Sequence, residues 1–107
     1  MTPLRPGTYT IVWRYEVHAH RVAEFRARYG PRGDWAQLFS RSAGYRGTDL
    51  LEDRSDPLTF CTLDRWESEA AFLAFRDRHG QAYREMDSTC DALTRLETHI
   101  GSFTELP

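Results

Sequence analysis

An α+β fold built on an antiparallel sheet is the architecture this sequence predicts, and three observations predict it. Stretches that alternate apolar and polar residues with the two-residue period of a strand recur four times. Between the first and second, and between the third and fourth, apolar residues recur instead at helical spacing. The resulting order is strand, helix, strand, strand, helix, strand, in which the helices cover one face of the sheet.

The first strand runs from about Thr8 to Val17, where Tyr9, Ile11, Trp13, Tyr15 and Val17 alternate with Thr10, Val12, Arg14 and Glu16. It is rich in the β-branched and aromatic residues that suit a pleated, half-buried surface. A helix follows from about His20 to Tyr29, with Val22, Phe25 and Tyr29 on one face, and Gly30-Pro31-Arg32-Gly33 stops it. Asp34 is then an N-cap candidate with Gln37 three residues on, and Trp35, Leu38 and Phe39 give a new apolar face extending to Gly44. The direction of this second helical piece is undetermined, because the Gly-Pro-Arg-Gly break leaves the path after Gly33 open. A second strand, about Tyr45 to Asp53, turns through Arg54-Ser55-Asp56-Pro57 into a third, Leu58 to Trp66. On that third strand Leu58, Phe60, Thr62, Asp64 and Trp66 share a face. Ser68 offers a hydroxyl N-cap to the next helix, flanked by Glu67 and Glu69 at its positive end. Phe72, Phe75 and His79 line one helical face up to Gly80, where a kink or break is cheapest, and Tyr83, Met86, Cys90 and Leu93 continue the stripe. A last strand occupies about Arg95 to Thr104. The whole is a ferredoxin-like βαββαβ chain, a single domain over residues 1–107 with its core in about 8–104.

Charge and composition exclude several classes. The chain has 107 residues, 40% hydrophobic and 28% charged, with 14 basic and 16 acidic side chains interspersed to a formal charge of -2. No basic patch or charge run marks a nucleic-acid or anionic-lipid partner. No apolar run reaches a membrane span, and the start MTPLRPGTYT lacks the apolar core of a signal peptide, so a cytoplasmic protein is expected. Cys61 and Cys90 lack metal-motif spacing and read as small core residues of a reduced compartment. The His18-x-His20 pair has no evident third ligand, and no metal site is expected. Helices on one side leave the opposite sheet face uncovered, and Val12 and Leu63 add apolar groups to it, so a homodimer packed sheet to sheet is expected.

Three stretches carry a family resemblance: the aromatic strand YTIVWRYEV, the hairpin entry AGYRGTDLLED, and LDRWESEAAFLAF from the third strand into its helix. Together they resemble the antibiotic biosynthesis monooxygenase (ABM) superfamily of dimeric α+β barrels. AGYRGTDLL matches the superfamily's Pro-Gly-Phe-x-Gly signature with Ala43 in place of proline, and Trp66-Glu67-Ser68-Glu69 matches its strand-end aromatic and acidic helix start. Many members carry a histidine nine residues after that aromatic, and the haem-degrading branch a tryptophan; this chain has Phe75. Glu85 stands near the haem branch's axial histidine, and Trp13-Arg14 where that branch has an asparagine, which argues against haem degradation. His79-Gly80 falls within one position of a Pro-His-Phe turn found in other members.

The resemblance implies oxygenation, without a cofactor, of a phenolic, polycyclic aromatic or quinol substrate, with that small molecule and dioxygen as partners. Such chemistry needs a dry aromatic pocket, a base for the phenolic proton and a donor for the oxygen-derived anion. His79 suits the base, since imidazole titrates near neutral pH. Tyr83, four residues later on the same helical face, suits the donor. Trp13, Tyr15, Trp35, Phe39, Trp66 and Phe75 are the candidate walls. Glu97, which shares a strand face with His99, is a rival base, and Arg14 or Arg65 would meet an anion only by turning inward. The alternatives are a noncatalytic dimeric small-molecule-binding module, which would bind an aromatic metabolite, and a polyketide cyclase or isomerase, because the same pocket could hold an enol and its base.

Overall fold

A computed structural model describes residues 7–107; the first six, part of the segment read as lacking a signal-peptide core, lie outside the described residues. The elements run β1 (Tyr9–Val17), α1 (Val22–Tyr29), α2 (Asp34–Phe39), β2 (Tyr45–Glu52), β3 (Thr59–Trp66), α3 (Glu69–Arg78), α4 (Gly80–Cys90) and β4 (Thr94–Thr104). The four strands form one antiparallel sheet in the order β2-β3-β1-β4. The βαββαβ reading therefore holds. Each helical segment is divided in two, the first at Gly30–Gly33 and the second at His79.

Alternation decides which side chains reach the core. Ile11, Tyr15 and Val17 of β1 and Phe60, Thr62, Asp64 and Trp66 of β3 are buried on the helix-facing side. There Phe25 of α1 packs on Tyr15 and Phe60, and Phe75 of α3 packs on Trp66. Trp66, Phe25, Phe60 and Phe75 are the largest fully buried side chains, so an aromatic layer between sheet and helices holds the fold.

The helix ends show local chemistry at work. The Ser68 hydroxyl accepts the Ala71 N–H at 3.1 Å, the cap its sequence position predicts. Asp34 behaves differently from expectation: Gly33 is the N-cap, and the Asp34 carboxylate pairs with the Arg28 guanidinium at 3.1 Å across the turn. α2 also stops at Phe39 rather than reaching Gly44. Where β2 enters the sheet its register shifts between Tyr45 and Gly47, and Gly47 takes φ +118°, a conformation that suits glycine.

The turn between α1 and α2 fixes where Trp35 and Phe39 stand, and Gly33 makes it possible. A Cβ there would meet the Ala27 carbonyl oxygen and lie 2.5 Å from the Arg28 carbonyl oxygen, both backbone atoms that cannot step aside. Gly33→Ala is expected to destabilise the protein by about 1–3 kcal/mol, the usual scale of overpacking. Urea denaturation checks it, and an unchanged midpoint would refute it. No helix among the described residues is long and apolar enough to cross a membrane.

Candidate active site

A cavity opens between α2, α4 and the helix-facing side of the sheet, in two adjoining lobes of about 110 and 210 Å³. Trp13, Phe39, Asp64 and Tyr83 border both lobes and so form the partition between them. The first lobe is completed by Tyr15, Tyr29, Trp35, Thr48, Thr62, Asp87 and Glu97. The second is completed by Tyr9, Ile11, Trp66, Phe72, Arg76, His99 and Ser102. Strand register accounts for the sheet's share: Trp13 stands opposite Thr62 on one side and His99 on the other, and Tyr15 stands opposite Glu97, so these side chains share the inner face.

Asp64 is the buried carboxyl of this cavity. Burial pushes its pKa up from the ordinary carboxylate range to about 6, against the opposing effect of a hydrogen bond from Thr48 and the nearby Arg65 charge. The Thr48 hydroxyl donates to Asp64 Oδ1 at 2.7 Å, which commits its only proton. The Thr48 oxygen must then accept from the Tyr45 hydroxyl, 2.5 Å away. Burial holds the Tyr45 phenol up at about 12, so it stays protonated and remains the donor. This Tyr45-Thr48-Asp64 chain fixes one carboxylate oxygen and leaves Oδ2 without a protein partner among the described residues.

The surrounding phenols are likewise kept neutral. Burial raises the pKa of Tyr15, whose hydroxyl lies 3.4 Å from Thr62 Oγ1, and that of Tyr83, partly offset by the Arg76 charge. Tyr83 meets Trp35 edge-on at 5.2 Å and carries the Arg76 guanidinium 4.0 Å from its ring centroid. Burial, with Asp87 and Asp91 nearby, raises the Glu97 carboxyl as well. The indole N–H of Trp66 is buried without a hydrogen-bond partner among the described residues.

Most of the expected walls come together here. Trp13, Tyr15, Trp35, Phe39 and Tyr83 line the first lobe, Trp66 lines the second, and Glu97 does reach the cavity. Phase along the helix moves two residues elsewhere. Phe75 lines neither lobe but lies behind the wall, fully buried against Phe39 and Trp66. His79, the expected base, also lines neither lobe; it sits at the junction of α3 and α4, its ring 5.4 Å from that of Phe75. Its φ of -116° and ψ of 24° mark the junction of the two helices, across which the Tyr83 N–H still donates to the His79 carbonyl at 2.9 Å. Arg14 and Arg65 point to the opposite sheet face, paired with Glu16 and Asp49. His18 and His20 lie side by side, 5.9 Å between ring centroids, at a turn remote from both lobes.

Asp64, Thr48, Thr62 and Arg76 are the site residues that sequence reasoning passed over. For Asp64 the signal was present: a carboxylate in phase with Phe60, Thr62 and Trp66 on the buried face of β3 must be either paired or chemically special.

Comparison with known proteins places the chain. The family model described as antibiotic biosynthesis monooxygenase matches residues 8–86. A variant of SnoaB, a cofactor-independent oxygenase from Streptomyces nogalater, superposes with a TM-score of 0.76 at 25% identity, covering 92% of this chain and 93% of that one. A putative antibiotic biosynthesis monooxygenase from Bordetella bronchiseptica gives 0.72 at 18% identity, over 94% of this chain and 99% of that one. One from Nitrosomonas europaea gives 0.69 at 14% identity, over 98% and 96%. These last two similarities bear on the fold alone. No curated protein sequence gives a significant match.

Proposed function

The chain belongs to the antibiotic biosynthesis monooxygenase family, and from that premise we propose that it is a cofactor-independent monooxygenase of a phenolic, polycyclic aromatic or quinol substrate, with Asp64 as its base. The observation that carries this reading is the buried Asp64 carboxyl, held at about 6, with one oxygen anchored by Thr48 and the other unpartnered in an aromatic cavity. A base that titrates just below neutral pH is ionised at pH 7 yet basic enough to share a proton in a transition state. The likeness to SnoaB supports oxygen as the co-substrate.

The reaction balances without a protein-borne redox group. Asp64 takes the hydroxyl proton of the enol form of a substrate whose keto tautomer carries two hydrogens on the reacting ring carbon, and the conjugate phenolate transfers one electron to dioxygen. The radical pair joins to form a carbon–oxygen bond, and the peroxide anion recovers a proton from Asp64. Loss of water from the hydroperoxide then leaves a carbonyl, so one CH₂ and one O₂ give one C=O and one H₂O. The neutral Tyr83 hydroxyl is the donor available to the oxygen-derived anion. The test is oxygen uptake with product analysis on anthrones, naphthols and hydroquinones. Uptake above autoxidation with one oxygen atom inserted into the product supports the reading. Product without uptake indicates a cyclase or isomerase, and saturable binding without product indicates a binding module.

Moving the base from His79 has its own consequence. His79→Gln is expected to leave kcat/KM within about twofold of wild type in that assay, because the ring lies outside both lobes. A hundredfold loss in a folded variant would return the base to His79.

The far side of the sheet fits a second copy of the chain. Leu51, Leu96 and Phe103 are about half exposed there, in register with Cys61, Glu16 and Thr10, while Val12 stands opposite Leu63. Face-to-face packing of two such sheets removes this apolar surface from water.

A further inference from the structure

We propose that the second lobe contains a carboxylate-binding subsite centred on Arg76, so that the substrate is a hydroxylated aromatic acid, bound with its hydroxyl at Asp64 and its carboxylate at Arg76. The proposal rests on the reading of the cavity as an aromatic substrate site and narrows its substrate class. Charge is divided unequally along the cavity. The first lobe is bordered by Asp64, Asp87 and Glu97 and by no basic residue. The second is bordered by Arg76 and His99, with Asp64 on the partition.

Arg76 is an exposed residue at the edge of the lobe, and its guanidinium packs on aromatic rings. Its guanidinium lies 4.0 Å from the Tyr83 ring centroid and 6.0 Å from that of Phe72, both residues of the lobe. Stacking on an aromatic face restrains the planar fork while leaving its N–H donors available. It makes no ion pair among the described residues, whereas Arg14, Arg28 and Arg65 all do. A carboxylate suits this guanidinium, since its two oxygens can accept a pair of N–H donors from the planar fork. The opposite orientation would bring an anion among three carboxyl groups, where like charge repels it.

Anaerobic titration of ligand pairs tests this without depending on turnover. The probes are 6-hydroxy-2-naphthoate and its methyl ester, which share ring and hydroxyl and differ in charge, followed by tryptophan fluorescence and calorimetry. In the wild type the acid is expected to bind at least tenfold more tightly than the ester, with the preference shrinking as salt is added. Arg76→Met is expected to abolish the preference while leaving ester affinity within about twofold, and Arg76→Lys to restore part of it. Equal wild-type affinity for acid and ester, or an equal loss of both in Arg76→Met, would overturn the carboxylate subsite and leave the aromatic site standing. Absence of binding by either probe would overturn the aromatic site and this subsite together.

Discussion

Replacing Asp64 with asparagine is expected to make the protein more stable at pH 7.5 while lowering turnover by about 10² to 10⁴, the range over which a positioned general base contributes. The two effects share a cause. Because burial lifts this carboxyl to about 6 in the folded state, the native protein holds a proton there that the unfolded chain has already released. Between about pH 4 and 6 the native state therefore binds more protons, and stability falls as pH rises through that window. Below it the group costs nothing, and above it the full cost is present, roughly 3 kcal/mol as an upper bound on the linkage relation. Asparagine keeps an oxygen for the Thr48 hydroxyl and cannot ionise. Its gain in melting temperature is expected to be several degrees at pH 7.5 and to vanish near pH 4. Calorimetric melts at the two pH values check this; a destabilised Asp64→Asn at pH 7.5 would show that the carboxylate is a structural anchor instead.

Phe75→Ala is expected to produce the largest loss of stability, about 3–5 kcal/mol. The ring is fully buried and packs on Phe39 and Trp66, with His79 and Tyr83 at its far edge. Its neighbours come from α2, β3 and α4, elements held apart by their own backbone bonds, so they cannot close on the space it leaves. A loss of that size is a large fraction of the 5–15 kcal/mol typical of a domain, so the variant should be partly unfolded at growth temperature. Urea denaturation measures the change. A shift below about 1 kcal/mol would mean that Phe75 is a replaceable part of the cavity wall, as its sequence position suggested.

The contrast between Phe75 and Asp64 shows what a sequence of this kind discloses. Period-two alternation in YTIVWRYEV and LTFCTLDRW gives strand existence and inner face, because a pleated strand has only two sides. Trp13, Tyr15 and Trp66 therefore fall where alternation puts them. A helix offers no such binary choice. Whether a residue faces a cavity or lies behind its wall depends on the helix's rotation and on interruptions, and His79, at the junction of α3 and α4 beside Phe75, lines neither lobe while Tyr83 borders both. The Tyr45-Thr48-Asp64 chain spans two strands and was invisible for a different reason. It depends on the register shift between Tyr45 and Gly47, which puts Tyr45 opposite Trp66 and so on the same face as Thr48 and Asp64. Asp64 itself is legible as an acid in phase with Phe60, Thr62 and Trp66 on the buried face of β3.

The pH profile of kcat/KM for oxygen uptake, measured on wild type and Asp64→Asn with the same aromatic substrate, bears most directly on the proposed chemistry. The base must be ionised to act, so the wild-type value should rise with pH through an apparent pKa of about 6 and level off above it. The residual activity of Asp64→Asn should lack that limb. A limb that persists in Asp64→Asn and disappears in His79→Gln would contradict the assignment of Asp64 as the base.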